Sequence, residues 1–416
     1  MRILFVTPRP PWPGRRGDQA RTAGLVRHLA RRHEVRIVAQ RWRGFPAVDP
    51  PPGVGVPLRP VDIPGFSVYG RLLVSAAAGV LGLSDRPFQV AMFDHPRFRA
   101  AVAREVDAFQ PEVAVVVLSR LGDLLPGLGR KPALQGVPVV LDLVDALAAN
   151  MERRAERDPL LRWLWRWESR RLARWDARAV AASARSTVVA DRDRRSILAS
   201  EPELGPKLGV LPFGLEVGQD PPPREAEPGL VVLTGNLGYF PTVDGAVWFG
   251  EGIWPAIRRR VPSARWLLAG ARPAAAVRSL ARLPGVEVVS DPEDLGALRR
   301  RGAVSIAPLR SGSGTQIKIL EALADGLPVV TTPAGADGLD GPPEGAVSVA
   351  DTPEGFASAV SGLLADPERG RSQAVAGRLW LLRRHGLEAV TARFEALLRD
   401  AADGCPPAPL TPSSEG

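Results

Sequence analysis

The stretch Ala303–Thr332, AVSIAPLRSGSGTQIKILEALADGLPVVTT, reads as a strand, a glycine-rich loop, a helix, a turn and a second strand. Val304–Ala307 is a short β-rich run, and the loop that follows it contains two glycines. Apolar residues then recur at helical spacing from Gln316 to Ala324, until Gly326 ends the pattern. The stretch therefore predicts a βαβ unit with parallel strands.

The loop and the helix of this unit have the features of an anion-binding site. Glycines let backbone amides approach an anion, and the helix N-terminus adds positive potential. Lys318 lies in the first turn, where a cation opposes the helix dipole unless an anion such as phosphate is bound. Glu321 lies on the same flank and could accept hydrogen bonds from a ribose. An ordinary βαβ unit with a solvated Lys–Glu pair is the alternative.

Two stretches of the sequence resemble a known family. The segment from Pro308 to Thr332 resembles the donor-site signature of retaining GT-B glycosyltransferases of family 4. Gly235–Phe249, GNLGYFPTVDGAVWF, is similar to the GN-x-x-Y-x-P-N-x-D stretch of a sugar-transferase branch of that family, often found with exopolysaccharide clusters. The resemblance implies an α/β fold of the GT-B type, in which two Rossmann-like parallel-sheet domains face a central cleft and a C-terminal helix crosses back to the first domain.

The resemblance also implies a set of donor-binding residues. These are Gly235, Asn236, Arg310, Ser313, Gly314, Thr315, Gln316, Lys318 and Glu321. Lys318 would act on the diphosphate during catalysis, and Glu321 would hold the ribose. Ser313 stands where many members of the family have a glutamate that contacts the donor sugar. Asn236 and Thr242 stand where many have an arginine and a lysine for the phosphates, so Lys318 and Arg310 would supply that charge.

The N-terminal half contains weaker candidates. The resemblance places four residues on the acceptor side of the cleft: Gly17, Asp18, Arg21 and Asp145. Asp142 follows a continuous apolar run that is typical of a central parallel strand, and it is a candidate catalytic residue. His95, in the FDHPRF stretch, is a further candidate catalytic residue and the histidine that we expect in the cleft. The alternative for these side chains is helix capping and surface charge.

The alternation of helical and strand-like runs over 416 residues predicts an α/β protein of two domains. The expected parts are an acceptor-side Rossmann-like domain (1–215), a linker (216–229), a donor domain (230–385), a crossing helix (386–402) and a disordered tail (403–416). Residues 46–64 are proline-rich and predict irregular chain. Residues 151–180 predict one long helix rich in tryptophan and arginine, which could pack on the first sheet or lie in a membrane interface.

Composition limits the function classes. A single cysteine excludes a disulfide framework and a cysteine metal site, and it fits the cytoplasm. The net charge of +9 suits phosphates and lipid headgroups, since no nucleic-acid motif is present.

The expected partners are a UDP- or GDP-sugar donor, a glycan, lipid-linked or small-molecule acceptor, and an anionic membrane at the inner face of the plasma membrane as a peripheral contact. No metal or cofactor beyond the nucleotide sugar is expected. The 66–83 segment is too short and interrupted to span a bilayer unaided.

Three functions remain compatible with the sequence. The first is a retaining hexosyltransferase. The second is a nucleotide-sugar 2-epimerase on the same fold, which would need further acid and base groups near the sugar. The third is a non-catalytic GT-B scaffold subunit, which the departures at Ser313 and Thr242 favour. A nicotinamide oxidoreductase is disfavoured, because no GxGxxG motif follows the first strand.

Overall fold

The computed structural model describes residues 1–14, 16–42, 49–81, 84–129, 132–311, 315–339, 341–342 and 344–404. The chain forms two compact units. Unit 1 is Met1–Gly214 together with the chain from Val390, and unit 2 is Leu215–Ala389. Most of the tail that we predict to be disordered, from residue 405 onward, lies outside the described residues.

Unit 1 is built on a seven-stranded sheet with the order β3-β2-β1-β4-β5-β6-β7. The strands are β1 (Arg2–Thr7), β2 (Glu34–Trp42), β3 (Leu58–Ile63), β4 (Val113–Val117), β5 (Val139–Val144), β6 (Arg185–Val188) and β7 (Leu208–Val210). Each described pairing is parallel, and β1, β4 and β5 are almost completely buried apolar runs, as expected for central strands.

Helices cover both faces of this sheet. They are α1 (Gly17–Leu29), α2 (Gly65–Val80), α3 (Phe88–Phe93), α4 (Pro96–Phe109), α5 (Leu147–Arg157), α6 (Arg162–Ala182) and α7 (Asp191–Leu198), with a 3₁₀ turn at Ser119–Leu124. One apolar cluster includes Leu4, Phe98 and Leu141, and the other includes Phe5, Leu25 and Val140. Neighbouring residues of one strand thus enter opposite cores, which is the alternation that a strand imposes.

The prediction of irregular chain over 46–64 is wrong for Leu58–Ile63, which form β3 at the edge of the sheet. Pro60 lies in this strand opposite Ala39 of β2. An edge strand has one side without a partner, so a proline there need not break the ladder. Residues 43–48 of the same stretch lie outside the described residues.

The prediction of one helix over 151–180 is also wrong, because α5 and α6 are separate helices. The break falls at Asp158 and Pro159. A proline disfavours helical backbone at the residue before it. The carboxylate of Asp158 accepts from the backbone N–H of Leu161 and from the indole of Trp165, which holds the turn at the start of α6.

Unit 2 has a six-stranded parallel sheet with the order β10-β9-β8-β11-β12-β13. Its strands are β8 (Leu230–Asn236), β9 (Arg265–Ala271), β10 (Val286–Ser290), β11 (Val304–Ala307), β12 (Val329–Thr331) and β13 (Ser348–Val349). Its helices are α8 (Phe240–Trp248), α9 (Trp254–Arg260), α10 (Ala275–Ser279), α11 (Leu295–Arg300), α12 (Ile317–Ala324), α13 (Pro333–Ala336), α14 (Pro353–Ala365) and α15 (Pro367–His385). A π-helical turn, Phe249–Ile253, joins α8 to α9.

The last described helix, α16 (Leu387–Ala402), returns the chain to unit 1. Val390, Phe394 and Leu398 of α16 are completely buried in the same apolar cluster as Phe5 of β1. The C-terminal helix is therefore part of the first core.

Two glycines set the contact between β8 and β9. Gly235 and Gly270 are opposite each other in the ladder, and Gly235 has a φ of +132°. A Cβ at Gly270 would lie 1.7 Å from the carbonyl oxygen of Gly235. No rotamer change relieves such an overlap, since both groups belong to the backbone.

We predict that Gly270→Ala destabilises unit 2 by about 3 kcal/mol or more, because the strand pair must separate. Gly252→Ala is the matched control, since a Cβ there meets no atom within 4 Å. That change should be neutral or stabilising by about 0.5–1 kcal/mol. Denaturant unfolding followed by tryptophan fluorescence, to which the buried Trp266 of β9 contributes, measures both. An unchanged midpoint for Gly270→Ala would contradict the close approach.

Candidate functional site

Both sheets reverse their strand order beside their first strand. In unit 1, β1 lies between β2 on one side and β4 on the other, so the chain moves outward from β1 in both directions. In unit 2, β8 lies between β9 and β11 in the same way. At such a point the loops at the carboxyl ends of the strands diverge, and ligands of open α/β sheets bind in the resulting crevice. In unit 2 this edge carries the residues after β8 and the connection from β11 to α12.

Lys318 is the central cation of the unit 2 site. It lies in the first turn of α12, and its Nζ donates to the hydroxyl of Thr242 at 2.9 Å. Thr242 is buried on α8. Gly245, one turn further along α8, lets this helix approach the chain that follows β11, since a Cβ there would lie 2.2 Å from the carbonyl oxygen of Pro308. Burial lowers the pKa of Lys318 to about 8, against the opposing influence of the Glu321 carboxylate.

The end of β8 lies next to this ammonium. A side chain at Gly235 would come within 3.7 Å of the Lys318 Cε, so glycine keeps the space beside the lysine open. Asn236 is exposed, and its side-chain oxygen accepts from the backbone N–H of Gly238 at 3.0 Å. The amide of Asn236 thus shapes the turn that leads to α8.

The connection from β11 to α12 carries several polar residues. Ser311 and Thr315 have buried hydroxyls that find no hydrogen-bond partner among the described residues. Gln316 is buried and is the residue immediately before α12. Arg310 is exposed and lies 3.4 Å from the carboxylate of Asp244. Two further candidates, Ser313 and Gly314, lie outside the described residues.

Glu321 is held by an arginine that sequence reasoning missed. Nη1 of Arg299, on α11, donates to the Glu321 carboxylate at 3.0 Å, and Nε of Arg299 donates to Asp325 at 2.6 Å. Burial raises the pKa of Glu321, and the charge of Asp325 raises it further, whereas Arg299 and Lys318 lower it. In the sequence Arg299 belongs to an arginine run, Arg299–Arg301, that looks like a solvated helix end. No sequence pattern identified Arg299 as a partner of Glu321.

Asp142 and Arg21 form a buried ion pair in unit 1. Arg21 donates from Nε and Nη2 to the carboxylate of Asp142 at 2.8 and 3.2 Å, and Thr187 donates to it at 2.9 Å. Arg21 also donates to the carbonyl of Pro212. Both charged residues are 1% exposed. A buried pair with its hydrogen bonds satisfied favours a structural role, because removing either partner leaves an uncompensated charge.

The other predicted residues of unit 1 have different surroundings. Gly17 begins α1, and Asp18 in the same turn pairs with Arg9. Asp145 is half-buried and follows Val144, which has a φ of +64° at the end of β5. His95 is the N-cap of α4, where its Nδ1 accepts from the backbone N–H of Arg97 at 3.2 Å, and burial lowers its pKa.

The structure therefore brings several described candidates of the C-terminal half together at α12. Gly235, Thr242 and Lys318 are in contact or nearly so, and Thr315 and Gln316 immediately precede α12 in the chain. In unit 1 it pairs Arg21 with Asp142. The donor, acceptor and catalytic roles of all these residues stay predictions.

Two parallel-sheet Rossmann-like units of this kind define the GT-B fold, and comparison with solved structures agrees. Sucrose-phosphate synthase from Thermosynechococcus elongatus is similar over 96% of this chain and 98% of its own, at 14% identity and a TM-score of 0.68. HepE from Anabaena, in complex with UDP, is similar over 96% of this chain and 100% of its own, at 12% identity and a TM-score of 0.63. WaaG, a glycosyltransferase of lipopolysaccharide biosynthesis, is similar over 95% of this chain and 99% of its own, at 16% identity and a TM-score of 0.56.

The sequence comparison assigns the domain in unit 2. Residues 228–366 match the family described as glycosyl transferases group 1. The protein is thus an enzyme of the glycosyltransferase class, with that domain spanning β8 to α14. No curated protein sequence matches the chain significantly.

Two negative findings apply to the described part of the chain. Among its helices, none combines the length and the apolar character needed to cross a bilayer. No group of three or more histidine, cysteine, aspartate or glutamate side chains lies within metal-binding distance there.

We predict that Lys318 titrates with a midpoint near pH 8, because burial disfavours its charged form. The chain has only three lysines, so selective ¹³C labelling gives three Cε signals, and Lys318→Arg assigns one by its loss. Thr242→Val should move the midpoint lower still, since the hydroxyl that accepts from the ammonium is gone. A Lys318 midpoint near its ordinary value of about 10.4 would contradict the burial of this group.

Proposed function

We propose that the protein is a retaining, metal-independent hexosyltransferase that moves a hexose from a UDP- or GDP-sugar to the hydroxyl of a glycan, lipid-linked or small-molecule acceptor. One observation carries this proposal. The ammonium of Lys318, fixed by Thr242, lies in the first turn of α12, and the connection that leads to this helix carries the buried hydroxyls of Ser311 and Thr315. The UDP bound to HepE supports a uridine nucleotide as the donor.

The leaving group explains why these residues would speed the reaction. When the bond from the anomeric carbon to the β-phosphate oxygen breaks, negative charge grows on that oxygen. The Lys318 ammonium, the two hydroxyls and the first backbone N–H groups of α12 stabilise this charge more than the charge of the bound substrate. Only such differential stabilisation lowers the barrier.

Retention follows when the acceptor attacks from the face that the leaving group vacates. The acceptor oxygen forms the new bond to the anomeric carbon as the bond to the phosphate oxygen breaks. Its proton passes to the departing phosphate oxygen, so no protein base is required. Glu321 would bind the ribose hydroxyls, and Arg299 would keep its carboxylate in position and ionised.

We predict that Lys318→Ala and Glu321→Gln each reduce the transferase rate at least tenfold, or about 1.4 kcal/mol of transition-state stabilisation. The measurement is nucleotide release from a panel of nucleotide sugars, with and without candidate acceptors and with and without EDTA. Lys207→Ala is the matched control, since this ammonium donates to the carbonyls of Ala181 and Ser183 in unit 1.

Each outcome of this assay separates the alternatives. Near wild-type rates in both variants would remove the site assignment. Epimerisation at C2 of the sugar would indicate the epimerase, and nucleotide binding without turnover would indicate the scaffold subunit. Loss of activity with EDTA would contradict the metal-independent mechanism.

The start of α6 supports a peripheral contact with an anionic membrane as part of the same proposal. Leu160 is 88% exposed and Trp163 is 63% exposed. Arg162 and Arg166 beside them are exposed as well. Apolar and aromatic side chains flanked by arginine are the combination that binds a membrane interface. The second half of α6 is different, since Leu172 and Trp175 are buried in unit 1.

We predict that Trp163→Ala weakens sedimentation with phosphatidylglycerol vesicles several-fold, because the exposed indole no longer enters the interface. Leu379→Ala is the matched control, since Leu379 is a 48% exposed apolar residue of α15 in unit 2. Equal sedimentation of the parent and Trp163→Ala, or equal binding to neutral vesicles, would contradict the contact.

A further inference from the structure

Arg299 holds two carboxylates at the end of α12 at once. It is buried, whereas Arg300 and Arg301 beside it are half-buried. Its Nη1 donates to Glu321 at 3.0 Å, and its Nε donates to Asp325 at 2.6 Å. A guanidinium is planar and its N–H directions are fixed, so the bond to Asp325 sets the direction in which Nη1 points. The position of the Glu321 carboxylate therefore depends on Asp325 as well as on Arg299.

Arg224 fixes the two turns that carry this ion pair. It belongs to the segment 216–229, the linker segment of the sequence prediction, which lies in unit 2 in the structure. The Arg224 guanidinium donates to the carbonyl of Gly326, in the turn that ends α12. Its Nη2 also donates, at 3.1 Å, to the carbonyl of Gly302, in the turn that ends α11. One side chain of the linker segment thus ties the end of α11 to the end of α12.

The charges around Asp325 favour this arrangement. Asp325 is 7% exposed, and burial of a carboxylate is unfavourable unless cations compensate it. Arg299 pairs with it directly, and the charges of Arg224 and Arg378 act on it as well. Arg378, on α15, also donates to the last carbonyl of α12 and to the carbonyl of Gly218 at 2.6 Å. Cations from the linker segment, α11 and α15 therefore hold this end of α12.

The Glu321 carboxylate is the group on which these contacts converge. Its side chain is 35% exposed, so a carboxylate held by Arg299 from one side stays accessible to a ligand from another. Burial raises the pKa of Glu321 and the charge of Asp325 raises it further, whereas Arg299 and Lys318 lower it. The ionised carboxylate has two oxygens that accept hydrogen bonds, which suits a pair of neighbouring hydroxyls.

We propose that Arg224, Asp325 and Arg299 form a positioning relay that makes the unit 2 site selective for nucleotides that contain ribose. The three residues act through the Glu321 carboxylate, which the relay holds in the direction of the ribose hydroxyls. The proposal rests on the transferase function and names the residues that set the selectivity of its donor site. A site built to bind a hydroxyl rejects an analogue that lacks it, because its own polar group is then left unpaired.

The test is calorimetric binding of UDP and of 2′,3′-dideoxy-UDP to the full-length protein, repeated with GDP and its dideoxy form. We predict that the parent binds the ribonucleotide about tenfold or more tightly than the dideoxynucleotide, because a hydrogen bond to a charged group is lost. Arg299→Gln, Asp325→Ala and Arg224→Gln should each reduce this ratio several-fold and leave the affinity for the dideoxynucleotide nearly unchanged. Both nucleotides share the diphosphate, so a variant that merely damages the fold weakens both.

Two further variants serve as controls. Asp325→Asn should retain most of the ratio, because the amide oxygen can still accept from Nε of Arg299. Arg300→Gln is the matched control of the same helix, since its guanidinium lies 3.8 Å from the carboxylate of Asp294. If Arg299→Gln or Asp325→Ala does not fold, Arg224→Gln and Asp325→Asn supply the ratio.

The pH dependence of the ratio gives a readout that a purely structural role would not move. The preference for ribose requires the ionised Glu321, so it is lost as the pH falls through the pKa of this group. Arg299→Gln should move the loss to higher pH, because the guanidinium lowers that pKa. Asp325→Asn should move it to lower pH, because the Asp325 charge raises that pKa. Lys318 lowers the pKa as well, and it is present in both variants.

Equal affinity of the parent for ribo- and dideoxynucleotides, or a ratio that none of the relay variants changes, would overturn the proposal. The outcomes separate it from the transferase function. Ribose-selective binding that depends on the relay, without sugar transfer, would retain the relay and remove the transferase. Sugar transfer without any preference for ribose would retain the transferase and remove the relay.

Discussion

The reversal of strand order beside β1 and beside β8 is the constraint on which both sites depend. In a parallel sheet every strand delivers its loop to the same edge, and the reversal separates two of those loops. In unit 2 the separated loops carry Gly235 and the connection that leads to Lys318, and in unit 1 they carry Arg9 and Arg120. In each unit these residues thus lie where two loops at the carboxyl edge of the sheet separate.

The sequence was most informative where local pattern and tertiary role agree. The apolar runs of β4, β5 and β11 are buried on both faces, so their composition alone predicts central strands, and the glycine-rich loop marked the start of α12. The pairing of Lys318 with Thr242 was not predictable, because it joins positions 76 residues apart through the packing of α8. Arg299 escaped notice for the same reason, since its partners lie 22 and 26 residues away.

Local rules failed where context overrides them. Proline-rich composition normally indicates irregular chain, yet β3 tolerates Pro60 because it is an edge strand. Trp and Arg periodicity suggested a single helix, although Asp158 and Pro159 divide it into α5 and α6. Asp142 is a different case, because its catalytic role stays a prediction while its carboxylate pairs with Arg21 in the interior. Charge alone does not show whether a side chain faces a ligand or another side chain.

The return of α16 to unit 1 has a consequence for synthesis on the ribosome. The core that contains Phe5 also contains Phe394 and Leu398, so the amino-terminal unit cannot close until translation has passed α16. Unit 2 is continuous in sequence and can finish folding first, although it is translated second. Until then the first unit exposes the apolar groove that α16 will fill, and it needs protection from aggregation during that interval.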